Sequence, residues 1–377
     1  MGVSRKIGYI PTLDGWRAIA VMLVMGAHCC PALLRSGTLA GKALAALFVH
    51  AGYGVDVFFA LSGYLIGTLL LMEKRATGTI SLRKFYVRRI FRILPPILVY
   101  LATIYTLHRL GVLPVLSTSE LIAVLAFFRN YAPGGWYTGH FWSLAIEEQF
   151  YLVIPLLLLI LRWRIALTVT SALAILSAIV RAIEFKYLVV DSIQFRTENR
   201  IDALMCGVIL ALLLQNQDIR QWMKDNLSFI TLAFLSLGTA TSVIILSAPA
   251  ARRSIISVAL PLLIAHTVLH PKRWWSLWLE YSPLKWLGRL SYSVYIWQML
   301  FLVPNVRRLG WLQGFPQALL FILVAGMISY YVIEKPMLRL GHRLAGATLE
   351  TPPSNQETSE PTSTVRTDSE TPATVSP

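Results

Sequence analysis

Apolar runs of about twenty residues recur along this chain from residue 18 to residue 334. A helix needs ~20 largely apolar residues to cross ~30 Å of hydrocarbon. Inside hydrocarbon every backbone N–H and C=O must find its partner within the protein, so a chain written this way folds as a bundle of membrane helices. Spans are expected at about 16–34, 52–72, 94–113, 140–161, 165–183, 200–215, 227–247, 254–270, 291–304 and 316–334. Those at 200–215 and 291–304 are short and are expected to run into their flanks. The piece from Leu121 to Phe128 is too short to cross and reads as re-entrant or interfacial. Charged residues make up only 14% of the 377, against about 25% in soluble domains. The expected fold class is therefore all-α: a polytopic bundle of about ten transmembrane helices.

The net charge of +15 would suggest nucleic acid in a soluble protein. Here Lys and Arg gather in short loops between spans, as the positive-inside rule requires, and nucleic acid is not an expected partner. Arg5 and Lys6 put the N-terminus inside, and the basic stretch Glu73–Arg92 is cytoplasmic. If 121–128 does not cross, Arg162 and Arg164, Arg220 and Lys224, Lys272 to Arg289, and Lys335 to Arg343 fall on the same side; a crossing would flip them all outside. Ten spans with both termini cytoplasmic follow, and Arg307 and Arg308 are the exception. Residues 1–344 read as one membrane domain. Residues 345–377, rich in Pro, Ser, Thr and Glu and without aromatics, read as a disordered tail. No cleaved signal peptide is expected. Cys29, Cys30 and Cys206 lie in apolar segments with no disulfide framework and no metal-ligand spacing.

Polar groups inside the apolar runs are the functional candidates, because ionisable side chains are costly there. Arg17 and His28, eleven positions apart, lie about three helical turns and ~16 Å apart on one stripe. That suits a site that grips an anion with one group and moves a proton or an acyl group with the other. Asp56 stands with Ser62, Gly63 and Gly67 in the second span, and reads either as a packing seam with an arginine partner or as a ligand contact. Arg88, Arg89 and Arg92 precede Pro95 and Pro96. They can hold phosphate in bidentate forks or anchor lipid headgroups. Trp142 and Ser143 precede Glu147 and Glu148; Glu147 can orient the His28 imidazole as a carboxylate does in a hydrolase triad, and His140 shares its face. Arg200 and Asp202 open another run, as site residues or as an ordinary helix boundary. Tyr292 and Gln298 lie in an aromatic-rich stretch, and Glu334 precedes Lys335-Pro336, where it can pair with a cytoplasmic arginine.

Taken in order, LDGWRAIAVMLVMGAH (13–28), GVDVFFALSGYLIG (54–67), FYVRRIFRILPP (85–96), FWSLAIEEQFY (141–151), RIDALMCG (200–207), LGRLSYSVYIWQ (287–298) and ISYYVIEKP (328–336) resemble the bacterial integral-membrane acyltransferase-3 family. That family O-acylates carbohydrates and some other acceptors. The resemblance implies about ten transmembrane helices in the bacterial inner membrane and an acyl-CoA donor, usually acetyl-CoA, reached from the cytoplasm. No tightly bound cofactor or metal is implied. Arg17, His28 and Glu147 fall on the positions tied to activity, and Arg88, Arg89 and Arg92 on the basic motif expected to hold the donor. Members often carry His where this chain has Gln298, which can hydrogen-bond but not titrate. His28 would then act alone or with His140. No second, soluble esterase-like domain is expected after the last span.

These readings combine into an O-acyltransferase. Coenzyme A phosphates would sit at Arg88, Arg89 and Arg92, with the thioester reaching past Arg17 towards His28. His28 would deprotonate the acceptor or carry the acyl group. The acceptor would be a carbohydrate or lipid-linked glycan of the cell envelope, with membrane lipid around the bundle. The alternative is a secondary transporter, which also places ionisable residues at the bilayer midplane.

Overall fold

A computed structural model describes residues 9–346 except 36, 49–50, 188–193, 229–230, 232–248 and 305–306. The expected tail lies almost wholly outside the described residues, as does most of the span expected at 227–247.

Fifteen α-helices follow one another among the described residues, with no strand. They are α1 (Pro11–Arg35), α2 (Leu39–Phe48), α3 (Gly54–Thr77), α4 (Leu82–Arg109) and α5 (Thr118–Leu125). Next come α6 (Trp136–Gly139), α7 (Phe141–Ile160), α8 (Trp163–Tyr187), α9 (Ile201–Leu213) and α10 (Gln217–Ser228). The chain closes with α11 (Pro249–Leu269), α12 (Trp274–Leu279), α13 (Ser282–Phe301), α14 (Gln317–Ile328) and α15 (Lys335–Leu344). A π-helical stretch, Ser329–Glu334, joins the last two.

Seven of the described segments are long and apolar enough to cross a membrane, and α9 with α10, bent by 113°, makes an eighth if counted as one span. The expected span at 200–215 is thus half of a broken helix. The span expected at 291–304 belongs to the 20-residue helix α13, which starts at Ser282 and carries Lys285 and Arg289 in its first half. Its polar first half keeps it from the apolar character of the seven, yet its second half is buried by its neighbours. The segment expected to be interfacial is α5, eight residues long. At ~1.5 Å per residue it covers about 12 Å and cannot cross.

Contacts along the helices sort them into two directions. On α3 and α7, Ser62 meets Glu147 and further along Lys74 donates to the carbonyls of Leu158 and Leu159, so the two run together. Gly63 lies against Leu204 and Gly67 against Val208 and Ala211, so α9 runs with them. Phe85 meets Tyr151 whereas Tyr100 meets His140, so α4 runs against α7. Gly288 abuts Asp14, placing the start of α13 beside the start of α1. One end of the bundle therefore holds the starts of α1, α4, α8 and α13 and the ends of α3, α7, α9 and α11. That end also carries the clusters around Arg83, Arg162, Lys224, Lys272 and Arg343, and it is called the basic end below.

Helices α3 and α9 pack backbone to backbone. A Cβ on Gly63 would stand 2.0 Å from the Leu204 carbonyl oxygen, and one on Gly207 2.4 Å from that of Ala60. Only residues without side chains let the backbones touch in this way. On the other side of α9, Asp202 receives both ends of the Arg181 guanidinium, at 3.0 and 2.6 Å, deep between α8 and α9. Asp202 lines neither cavity described below. Both its oxygens accept from Arg181.

Candidate active site

Two cavities approach each other inside the bundle. The smaller, about 80 Å³, lies nearer the basic end, and Arg17, Ser62, Arg89, Arg92, Glu147 and Tyr292 line it. The larger, about 960 Å³, lies beyond it, and its wall includes His28, Trp136, His140, Trp142 and Arg200. Helix α1 serves both: Arg17 faces the first and His28, three turns on, faces the second. Only Val55 and Tyr295 line both cavities.

The smaller cavity gathers like charges. Arg17 is held by Asp14 at 3.2 Å and lies close enough to Arg92 to be repelled by it. Arg89 rests on the Tyr151 ring at 4.8 Å from its centroid. Glu147 feels both Arg89 and Arg92, but its hydrogen bonds come from the Ser62 hydroxyl at 2.9 Å and the Tyr151 hydroxyl at 3.4 Å. Tyr292 donates to the Ile93 carbonyl at 2.7 Å and so ties α13 to α4. Glu334 is buried, accepts from Ser293 at 2.8 Å, and interacts electrostatically with Arg92 and Arg17. An enclosure with three guanidiniums facing inward is built for an anion or a polarised carbonyl. At 80 Å³ it admits the reacting end of a ligand and no more, since drug-sized pockets run from ~300 Å³.

The larger cavity is aromatic and imidazole-rich. His28 packs edge-on to Trp136 at 5.9 Å, and its buried Nδ1 has no hydrogen-bond partner. Gln298 is fully buried within interaction range of His28, yet neither its oxygen nor its nitrogen completes a well-formed hydrogen bond. His140 sits among Tyr100, Phe141 and Tyr295, with both ring nitrogens unpartnered. Trp142 lies beneath the Arg200 guanidinium, 4.8 Å away. Tyr53, in the turn before α3, contributes its ring, with Arg253 5.7 Å from the centroid.

The partition is a short network. The Tyr295 hydroxyl lies 2.5 Å from Ser143 Oγ and donates to the His140 carbonyl at 3.0 Å. Tyr295 thus stands in the walls of both cavities, held there by α7.

Two sequence expectations, for Glu147 and Arg88, meet a different geometry, and for Asp56 the structure selects the arginine-paired reading of the two. Glu147 does not reach His28: its bonds go to Ser62 and Tyr151, and the two residues line different cavities. The reason is axial, since α7 brings Glu147 level with Arg17 and brings His140, seven residues earlier, towards the level of His28. Arg88 does not join Arg89 and Arg92 in the cavity, but turns towards His342 on α15. The three fall within about 100° of arc on α4 with Arg88 at one edge, so the cavity takes the two towards the other edge. Asp56 lines neither cavity and is buried as the counter-ion of Arg200, at 2.9 and 3.2 Å, and of Arg253, at 3.4 Å. Ser62, Trp142, Ser143, Arg200 and Tyr292 line one cavity or the other, whereas Gln298 and Glu334 are buried behind the walls and line neither. Tyr295, Trp136, Arg252 and Arg253 were not singled out from the sequence. Tyr295 read as one aromatic of an interfacial belt, and its spacing of three from Tyr292 and Gln298 was the available signal.

Comparison with known proteins adds to this geometry. A family model described as an acyltransferase domain, Acyl_transf_3, matches residues 10–334. This chain belongs to the acyltransferase-3 family. A Staphylococcus aureus (strain COL) protein provisionally named an O-acetyltransferase is 31% identical over 89% of this chain and 58% of its own length. The O-acetyltransferase OatA of Staphylococcus aureus strain NCTC 8325 is 29% identical, over 89% of this chain and 58% of its own. The peptidoglycan O-acetyltransferase OatA of Listeria monocytogenes is 27% identical, over 90% of this chain and 57% of its own. The chain thus spans under three fifths of the length of these relatives. No solved structure matches it.

Proposed function

We propose that this acyltransferase moves an acyl group, by preference acetyl, from acyl-CoA at the basic end to a hydroxyl of a cell-envelope carbohydrate at the far end. The observation that carries the reading is the pair of cavities meeting at Tyr295: an arginine-lined one for the donor and an imidazole-lined one for the acceptor. The basic loops support a plasma-membrane protein with both termini in the cytoplasm. The relative named for peptidoglycan supports a glycan as acceptor.

In this reading Arg89 and Arg92 neutralise the donor, Arg17 grips it ~16 Å short of His28, and the thioester reaches on past Tyr295, whose hydroxyl closes the passage until its side chain swings aside. The acceptor O–H gives its proton to His28 as its oxygen bonds to the carbonyl carbon. The C–S bond then breaks, and the coenzyme A thiolate takes up the proton released from His28 as it leaves, which returns the imidazole to its neutral form. Gln298 cannot titrate, so it orients His28 without sharing the proton. His140 offers a second imidazole in the same cavity. Arg88, outside the cavity, lies where the donor's phosphates would trail towards the cytoplasm.

The test is label transfer. Membranes carrying wild-type or His28→Ala protein receive radiolabelled acetyl-CoA and an envelope glycan extract. Label is expected in glycan with the wild type alone. Equal transfer by His28→Ala overturns the role of His28. Ligand flux without acyl-CoA consumption returns the transporter reading.

A further inference from the structure

The larger cavity carries a charge excess that proton transfer does not use. Arg200, Arg252 and Arg253 all line it, from the start of α9 and the first turn of α11. A helix start is the end at which the backbone dipole disfavours cations. Against these three guanidiniums the described residues set one carboxylate, Asp56, which already pairs with both Arg200 and Arg253. No ion pair holds Arg252 among the described residues. Arg200 is only 4% exposed, yet its Nε has no hydrogen-bond partner, and the buried Nε of Arg252 has none either. Buried donors without acceptors are expected to be filled by a ligand or by water.

No Asp or Glu lines this cavity. Its wall adds Trp136 and Trp142, whose rings suit the apolar faces of a pyranose. A volume of about 960 Å³ takes more than one sugar unit.

We propose that the acceptor is an anionic saccharide, gripped through a carboxylate or phosphate group by Arg200, Arg252 and Arg253, with a neighbouring hydroxyl presented to His28. This rests on the acyltransferase reading for what His28 does, and on the cavity alone for what binds. Guanidinium forks match both carboxylate and phosphate, so the shared chemistry is a planar or tetrahedral oxyanion on a sugar. The anion site orients the sugar, and the tryptophans hold its ring.

The experiment uses purified full-length protein in lipid nanodiscs and follows tryptophan quenching. Three probes are titrated: methyl glucoside, methyl glucuronide and glucose 1-phosphate. At least one charged sugar is expected to bind tenfold or more tightly than the neutral one, and which of the two wins identifies carboxylate or phosphate as the natural group. Arg252→Gln is expected to collapse that preference and Arg252→Lys to restore part of it; both variants are first checked for wild-type elution on size exclusion. Equal binding of neutral and charged sugars by the wild type overturns the proposal, as does an undiminished preference in Arg252→Gln. The two readings fail separately. Tight binding of a charged sugar without acyl-CoA consumption sinks the acyltransferase reading alone, whereas acetylation of neutral glycans as fast as charged ones sinks this inference alone.

Discussion

Replacing Asp56 by Asn tests the electrostatic frame of the larger cavity. The carboxylate is 1% exposed and accepts from Arg200 at 2.9 and 3.2 Å and from Arg253 at 3.4 Å. Asparagine keeps the shape and removes the charge, leaving two guanidiniums facing a neutral group. Breaking a buried pair from one side costs roughly 3–5 kcal/mol, most of it the stranded partner's desolvation. Water from the adjoining cavity screens Arg253, which is 18% exposed, so the low end, about 3 kcal/mol, is expected here. At ~2 °C per kcal/mol that is a Tm lower by about 6 °C. The assay is built into the chain: Cys29 is buried and Cys206 half-buried, so a thiol-reactive fluorophore reports unfolding as they become exposed. Arg200→Gln on its own leaves Asp56 with Arg253 and costs less. The double variant should recover at least ~1.5 kcal/mol of the summed single losses. An Asp56→Asn protein that melts with the wild type, or strictly additive losses, would refute the pairing argument.

Three further outcomes are expected. Gly207→Val should give little monodisperse protein on size exclusion, because its side chain would start 2.4 Å from the Ala60 carbonyl oxygen and 2.6 Å from the Tyr64 nitrogen; wild-type yield and melting would contradict the packing of α3 on α9. Arg92→Gln should raise KM for acyl-CoA about tenfold, worth ~1.4 kcal/mol, with kcat falling less, since it removes one of three cations from the donor cavity; an unchanged KM in steady-state kinetics would place the donor elsewhere. Tyr295→Phe keeps the ring and loses the bonds to Ser143 and the His140 carbonyl. Its melting should shift by no more than ~1 kcal/mol, while acyl-CoA hydrolysis uncoupled from transfer should rise as the partition loosens. Tight coupling in that variant would show that the hydroxyl does not close the passage.

Much of the site was legible because helical spacing is local. Arg17 and His28 follow one stripe of α1 whatever surrounds it, and apolar runs near twenty residues announced most of the spans. Arg89 and Arg92 could be recognised as a pair of cations, but their separation from Arg88 depends on which face α4 turns to α7 and α13. Glu147 shows the limit most plainly. Its depth along α7 relative to His28 on α1 is set by packing between helices distant in sequence, and no spacing within either helix contains it. The same holds for Asp56 and Asp202. From sequence each was equally a ligand contact or a packing partner, and only the arrival of Arg200, Arg253 and Arg181 distinguishes the cases.

By itself, then, the amino-acid order determines an all-helical membrane bundle, its basic end, and the inventory of charged and imidazole groups that oil would otherwise exclude. Hydrophobic length and residue spacing suffice for that, because they act within one segment. The tertiary structure alone decides that those groups divide between two cavities, with Tyr295 at their boundary, and that two arginines share one carboxylate. Those facts depend on axial offsets between helices, fixed by glycine contacts and side-chain volume at interfaces assembled from segments far apart in the chain.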